Sequence, residues 1–261
     1  MAADIQNILT QMQANYKPTT NDKKNILVYG DSATGKSMCI GTLPKPILLH
    51  CFDASGVPKA LEPLIAAGQL YVELFNKEDP AIPTEWKRWG TRFDILRRDG
   101  LFTSGAIKTF AVDSLTSLAE YAWNLQYKLS GKGLDDDLRR VYNIQQGHFM
   151  TALRQILALP TNVYCTAHLR QDKDETTGRI SHSLYVSGKL NLKITMLFEE
   201  IYATKVSIKS KGTEYELITR TDGTMKARSS MGSDGKFLQY EAADISALLH
   251  KAGVLKGDST T

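Results

Sequence analysis

The sequence predicts an α/β fold: a mostly parallel central sheet flanked by helices, with antiparallel strands added near the C-terminus. Three observations predict it. Short apolar runs alternate with stretches of helical periodicity, the pattern of strands joined by right-handed crossovers. The first such run ends on a G-x-x-x-x-G-K-[ST] loop, Gly30 to Ser37. Towards the C-terminus, EEIYATKVSI and TEYELITRT alternate in polarity around a turn at KSKGT, as a hairpin does.

The elements follow in order. Ile5, Ile8, Leu9 and Met12 share one face of an N-terminal helix, and the polar TTNDKK after it reads as a linker. Residues 1–24 are therefore expected to form a helix and linker, packed on this chain or serving as an oligomerisation arm. The main domain is expected over 25–250, with a tail over 251–261. NILVY (25–29) predicts the first buried strand and PILLHCFD (46–53) the second. A helix is expected over 57–68, a strand over 69–75, a Pro-containing loop over 76–83 and an amphipathic helix over 84–99. TFAVD (109–113) is the third core strand. A long helical region follows it, broken at SGKGLDDD (130–137) and ending at Pro160. NVYCTAH (162–168) is the fourth core strand, and a polar loop or hairpin follows it. AADISALLHKAG closes the chain as a helix.

Composition is that of an ordinary folded protein: 42% hydrophobic, 23% charged, net charge +4. No apolar run approaches the roughly 18–20 residues that span a bilayer, and the first residues do not read as a secretion signal. A cytoplasmic, reducing setting is expected. Cys39, Cys51 and Cys165 are too far apart in sequence to suggest a zinc site, and read as small buried hydrophobes.

The loop carries the chemistry. Its glycines let successive backbone N–H groups turn inward on phosphate oxygens, and a helix expected to follow adds its N-terminal partial charge. The cradle comprises Gly30, Asp31, Ser32, Ala33, Thr34, Gly35, Lys36, Ser37 and Met38. Lys36 is placed to reach the β- and γ-phosphates of ATP and the Ser37 hydroxyl to ligate Mg²⁺. Asp113, ending TFAVD, is the candidate acid for the metal's water shell, on a strand expected beside that of the loop. The alternative is a strand-end Asp capping the next helix.

GDSATGKS, CFDASG, TFAVDSLTSL and NVYCTAH, in this order and spacing, resemble the RecA-like ATPase core. Over roughly residues 24–230, with SGKLNLKI and DGTMKARSSMG, the chain looks like phage-encoded RecA-like ATPases of single-strand annealing and recombination. The resemblance implies a probe of the γ-phosphate at His168 that moves a DNA-binding loop. It also implies single-stranded DNA and further copies of the chain, as ring or filament, for partners, with a single-strand-binding protein as another. The setting would be a bacterial host cytoplasm. Such enzymes carry a catalytic glutamate after the second strand, where CFDASG has Ser55. Asp53 is the nearest carboxylate, so slow or assembly-dependent hydrolysis is expected.

Two basic groups are candidates for DNA. Arg170, Lys173, Arg179 and Lys189 lie in or beside the polar stretch after His168. Lys87, Arg88, Arg92, Arg97 and Arg98 surround Trp86 and Trp89, either as a stacking platform or as the wet face of an ordinary amphipathic helix. Lys226 and Arg228 are candidates for reaching a neighbour's γ-phosphate, or lie on a solvated strand pair. SGKGLDDDLRR is the candidate second DNA loop, against which its acidic triplet argues. The competing readings are a P-loop switch or phosphotransferase without a DNA role, and an assembly protein that binds ATP with little turnover.

Overall fold

A computed structural model describes residues 2–15, 23–133, 135–210 and 212–255. Residues 19–22 of the expected TTNDKK linker and residues 256–261 of the expected tail lie outside the described residues.

The sheet is assembled from β1 (Asn25–Gly30), β2 (Ile47–Cys51), β3 (Leu70–Leu74), β4 (Thr109–Asp113), β5 (Asn162–Lys173), β6 (Ile180–Leu184), β7 (Glu200–Lys209), β8 (Gly212–Ile218) and β9 (Tyr240–Ala242). Its order is β3-β2-β4-β5-β1-β7-β8-β9, with β6 paired to the outer half of β5. From β3 to β7 all neighbours run parallel, while β7, β8 and β9 pair antiparallel. This is the mostly parallel α/β sheet with added antiparallel C-terminal strands that the sequence predicts.

Strand side chains alternate between two faces. Leu27 and Tyr29 of β1 pack on one side with α3 (Glu85–Arg98), α4 (Leu115–Ser130), α5 (Arg139–Leu157) and α6 (Leu190–Thr195). Ile26 and Val28 pack on the other with α7 (Ile245–Ala252). With both faces covered, β1, β2 and β4 read as unbroken apolar runs, as parallel strands do. Local signals set the helix ends. The Ser114 side chain accepts from Ser117 N at the start of α4, and Asp244 accepts from Ala247 N at the start of α7. Gly131 and Gly253, left-handed at φ 64° and 78°, end the same two helices.

Three expectations change. The helix after the phosphate loop is only a five-residue 3-10 turn, Met38–Thr42. It is too short to carry a helix dipole, so anion affinity there rests on backbone N–H groups and Lys36. The strand of Asp113 is not beside that of the loop, because β5 is inserted between β4 and β1. The helix over 57–68 is a 3-10 turn (Lys59–Leu61) running into a short α2 (Glu62–Ala66).

α1 (Ala2–Asn15) exposes the apolar face read from its sequence: Ile5, Ile8, Leu9 and Met12 are each about half or more accessible. The three cysteines are buried and free.

Candidate nucleotide site

The C-terminal edge of the parallel sheet brings the predicted residues together in one row. Sheet register sets Gly30 beside His168 and Asp113 beside Cys51. Across the edge, β2, β4, β5 and β1 thus present Asp53, Asp113, His168 and the phosphate loop in that order.

The loop leaves β1 at Gly30, where a side chain does not fit: a Cβ would lie 1.8 Å from Thr204 Oγ1 on β7. Ala33 and Gly35 take positive φ, 60° and 90°. The Thr34 hydroxyl donates to Asp31 O at 2.7 Å and meets the Thr204 hydroxyl at 2.6 Å. The ring of Tyr215, on β8, lies against Gly35, so the C-terminal strands support the loop from the side. Lys36 is buried, and its ammonium donates to Asp31 O at 2.5 Å, within its own loop. Burial lowers the Lys36 pKa, against the pull of Asp113, Asp53 and Asp31.

Asp113 is buried and accepts from the Thr166 hydroxyl of β5. Burial and then the neighbouring Asp53 push its pKa up, while Thr166, Ser37 and Lys36 hold it down. The peptide joining Asp113 to Ser114 is cis. It is Ser114, not Asp113, that caps α4. Asp53 sits in the bend after β2. Its Oδ1 accepts from Ser114 Oγ at 2.7 Å and Ser117 Oγ at 2.5 Å, and its Oδ2 lies 3.2 Å from His168 Nε2. Burial opposes ionisation of Asp53, but hydrogen bonds from His168, Ser117 and Ser114 outweigh it and hold the pKa at about 2. The His168 backbone is fixed on both sides: its N–H donates to Thr116 Oγ1 at 3.0 Å, and its carbonyl accepts from Tyr185 N at 2.8 Å. Ser55 is exposed on the same bend as Asp53.

This oxygen-rich edge fits a magnesium triphosphate. A hydroxyl and a buried carboxylate crowded by a second one suit a hard divalent cation, which takes oxygen ligands and keeps several waters and phosphate oxygens. Ser37 and Asp113 are the residues that would hold it. Among the described residues no cluster of His, Cys, Asp or Glu offers an all-protein metal cage.

The other candidates are more scattered. Arg170, Lys173 and Arg179 ride on the β5–β6 hairpin, and Lys189 directly precedes α6. Arg170 pairs with Asp172, and Arg179 donates to Gly223 O. The helix of the tryptophans is not a stacking platform. Trp89 is buried and donates to His50 Nδ1 at 3.1 Å, while Arg88, Arg92 and Arg97 pair with Glu85, Glu73 and Asp94. Arg228 is not a free finger either, because its guanidinium is spent on the Phe198 and Thr195 carbonyls of its own chain. The Lys226 backbone exchanges two hydrogen bonds with the Tyr29 hydroxyl. In the 131–138 connection between α4 and α5, Asp137 is paired with Arg139 and Asp136 with Gly133 N.

Four polar residues of the site escaped sequence reasoning: Thr116, Ser117, Thr166 and Thr204. Thr116 and Ser117 left a signal, in the S-L-T-S run that starts α4. The rest are brought in by strands distant in sequence. So is Glu200, buried on β7, whose carboxylate takes hydrogen bonds from Tyr202, Ser229, Ser230 and Met231 and anchors the segment carrying Arg228.

Loop, buried strand-end acid and the strand between them, which ends on His168, define a P-loop, nucleotide-binding ATPase. A model of the AAA domain matches residues 22–231, and the chain belongs to that family. No curated protein matches. Among solved structures, the chain is similar in fold to a KaiC-like protein from Pyrococcus horikoshii. Identity there is 10% and the TM-score 0.39, over 76% of this chain and 78% of that one. It is also similar to the flagellar accessory protein FlaH from Methanocaldococcus jannaschii, at 10% identity and TM-score 0.42, over 83% of each chain.

Proposed function

We propose that this ATPase uses Mg²⁺ and ATP to control its grip on single-stranded DNA, in recombination or strand annealing. One observation carries the reading: β5 runs unbroken from the buried core, past His168 at the nucleotide site, into the hairpin that bears Arg170, Lys173 and Arg179. In this reading the group that would face the γ-phosphate and a basic arm are parts of one strand.

In this reading Lys36 leaves Asp31 O for the β- and γ-phosphates, and backbone N–H groups of residues 32–37 hold the remaining oxygens. Bound magnesium would offset phosphate charge beside Ser37 and Asp113. Asp53 orients the attacking water. With a pKa near 2 it is a weak base, and Ser55 adds none, so turnover is slow until Asp53 loses some of its donors. His168 lies between Asp53 and the hairpin, so losing its contact to a γ-phosphate oxygen would turn Asp53 loose. DNA in this scheme is held by Lys173, Arg179 and Lys189.

The test is DNA affinity with ATP, ADP and no nucleotide, over a range of salt. Tighter binding with ATP, falling steeply as salt rises, is expected. Affinity indifferent to nucleotide would sink the proposal. A second reading, an ATP-binding assembly protein with little turnover, is favoured by Ser55 and by the exposed apolar face of α1. It predicts ATP-dependent oligomers with no hydrolysis even when DNA is present.

A further inference from the structure

Beside the nucleotide site, at the foot of the hairpin, lies a cleft of about 320 Å³. α4 contributes Thr116, Glu120 and Trp123 to it, α5 contributes Tyr142, and the β5–β6 unit contributes Arg170 and Tyr185. Its aromatic content is not core packing. Tyr127, Trp123 and Tyr142 form a ladder, with Trp123 stacked on Tyr142 at 4.1 Å between ring centroids and 20° between planes. The ladder ends on Tyr142, which is 38% exposed, and Tyr185 is 58% exposed. Burying such ring area is favourable, yet both rings are left in water.

We infer that this cleft takes one unstacked nucleobase of single-stranded DNA. The inference deepens the DNA-binding reading and rests on it. The volume suits one base, and the exposed rings offer it π-faces, the sequence-tolerant way to hold single strands. Arg170, the cation among the lining residues, is ion-paired with Asp172, so the remaining polar groups suit a base edge rather than a phosphate. Glu120 is exposed and only accepts hydrogen bonds when ionised, whereas the Thr116 hydroxyl is already accepting from His168 N. Phosphate charge has a candidate partner close by. Lys189 lies two residues beyond Ser187 and has no ion-pair partner among the described residues. A basic group outside and an acceptor inside turn a base, rather than a phosphate, towards the cleft. Glu120 further favours bases that present amino hydrogens, as cytosine does through N4, over thymine, which presents O4 and a methyl group there.

The experiment measures binding of oligo-dC and oligo-dT to the full chain with ATP, across a salt series. Tyr185→Ala and Tyr142→Ala should each weaken oligo-dC binding about tenfold, the usual order for a lost base stack, and leave the salt slope unchanged. Tyr185→Ala should also leave the melting temperature unchanged, while Tyr142→Ala lowers it by the loss of its stack on Trp123. Lys189→Ala should instead flatten the salt slope by about one. Glu120→Gln should erase the preference for oligo-dC over oligo-dT. Wild-type binding of DNA with both tyrosine variants binding equally well overturns the cleft and spares the DNA reading. A wild-type chain that binds no DNA overturns both.

Discussion

At the residue scale the site is held in tension by two carboxylates of opposite character. Asp53 is stabilised as an anion, and Asp113 is pushed towards protonation by burial and by Asp53. A raised carboxyl pKa means that the folded chain binds the proton more tightly than the unfolded one. Asp113 therefore costs stability that grows as pH rises through its unfolded and then its folded value. Asp113→Asn should accordingly raise the melting temperature of the nucleotide-free protein by a few degrees at neutral pH, while removing the Mg²⁺-dependent part of nucleotide affinity. An unchanged magnesium requirement would take the metal role away from Asp113. Lys36→Ala tests the cradle itself. A ligand at a hundred times its Kd stabilises the wild type by about 2.7 kcal/mol, and the variant should show little of that shift on adding ATP.

At the scale of elements, the linkage between loop and sheet is specific. Gly30→Ala would drive a methyl group into Thr204 on β7 and disturb the Thr34–Thr204 contact. Overpacking of this kind costs about 1–3 kcal/mol, so thermal unfolding should shift down and ATP affinity should fall with it. Equal melting of variant and wild type would mean that β7 yields freely. How far these elements could be read from sequence depends on how local their determinants are. β1, β2, β4 and the inner half of β5 are short buried runs bounded by Gly, Pro or polar residues, and their positions were legible. So were the loop, and Asp53, Asp113 and His168 as a group, because each ends such a run. The insertion of β5 between β1 and β4, the short strand β9 and the small helix α6 were not. Strand order is decided by which buried faces fit, and no local pattern encodes it. The 3-10 turn after Ser37 was missed for the opposite reason: the M-C-I-G stretch looks helical, but Gly41 and Pro44 leave no room for a second turn.

For the whole molecule, the loss of stability in acid has one clear origin. His50 is buried on β2, accepts from Trp89, and lies 3.5 Å from Glu73 without being charged, because burial, and then Arg92, pushes its pKa down to about 3. The unfolded chain takes up this proton below about 6.5 and the folded chain does not until about 3, so stability declines as pH falls through that window. Between pH 7 and 5 the His50 contribution is a loss of about 2 kcal/mol. Asp113 works in the opposite sense, while the contribution of Asp53 disappears only below the usual carboxylate range. His50→Gln keeps an acceptor for Trp89 and should flatten the pH dependence of the urea midpoint by that amount. The exposed apolar stripe of α1 belongs to this scale too. Removing residues 2–15 should change the monomer's unfolding midpoint by less than about 0.5 kcal/mol while lowering the average mass in solution at high protein concentration. An unchanged mass would leave that stripe without a role in self-association.

The position of β5 has a mechanical consequence. Below His168 it is hydrogen-bonded on both sides, to β1 and to β4, and beyond it only to β6. A strand laced on both edges cannot slide along its axis without breaking both ladders at once, so any coupling of the hairpin to the proposed nucleotide would have to pass as a twist about that axis, pivoting near His168. Amide exchange should show the boundary directly: residues 163–167 slow as the most protected part of the molecule, residues 170–173 fast, and the step between them shifting outward only when nucleotide stiffens the pivot.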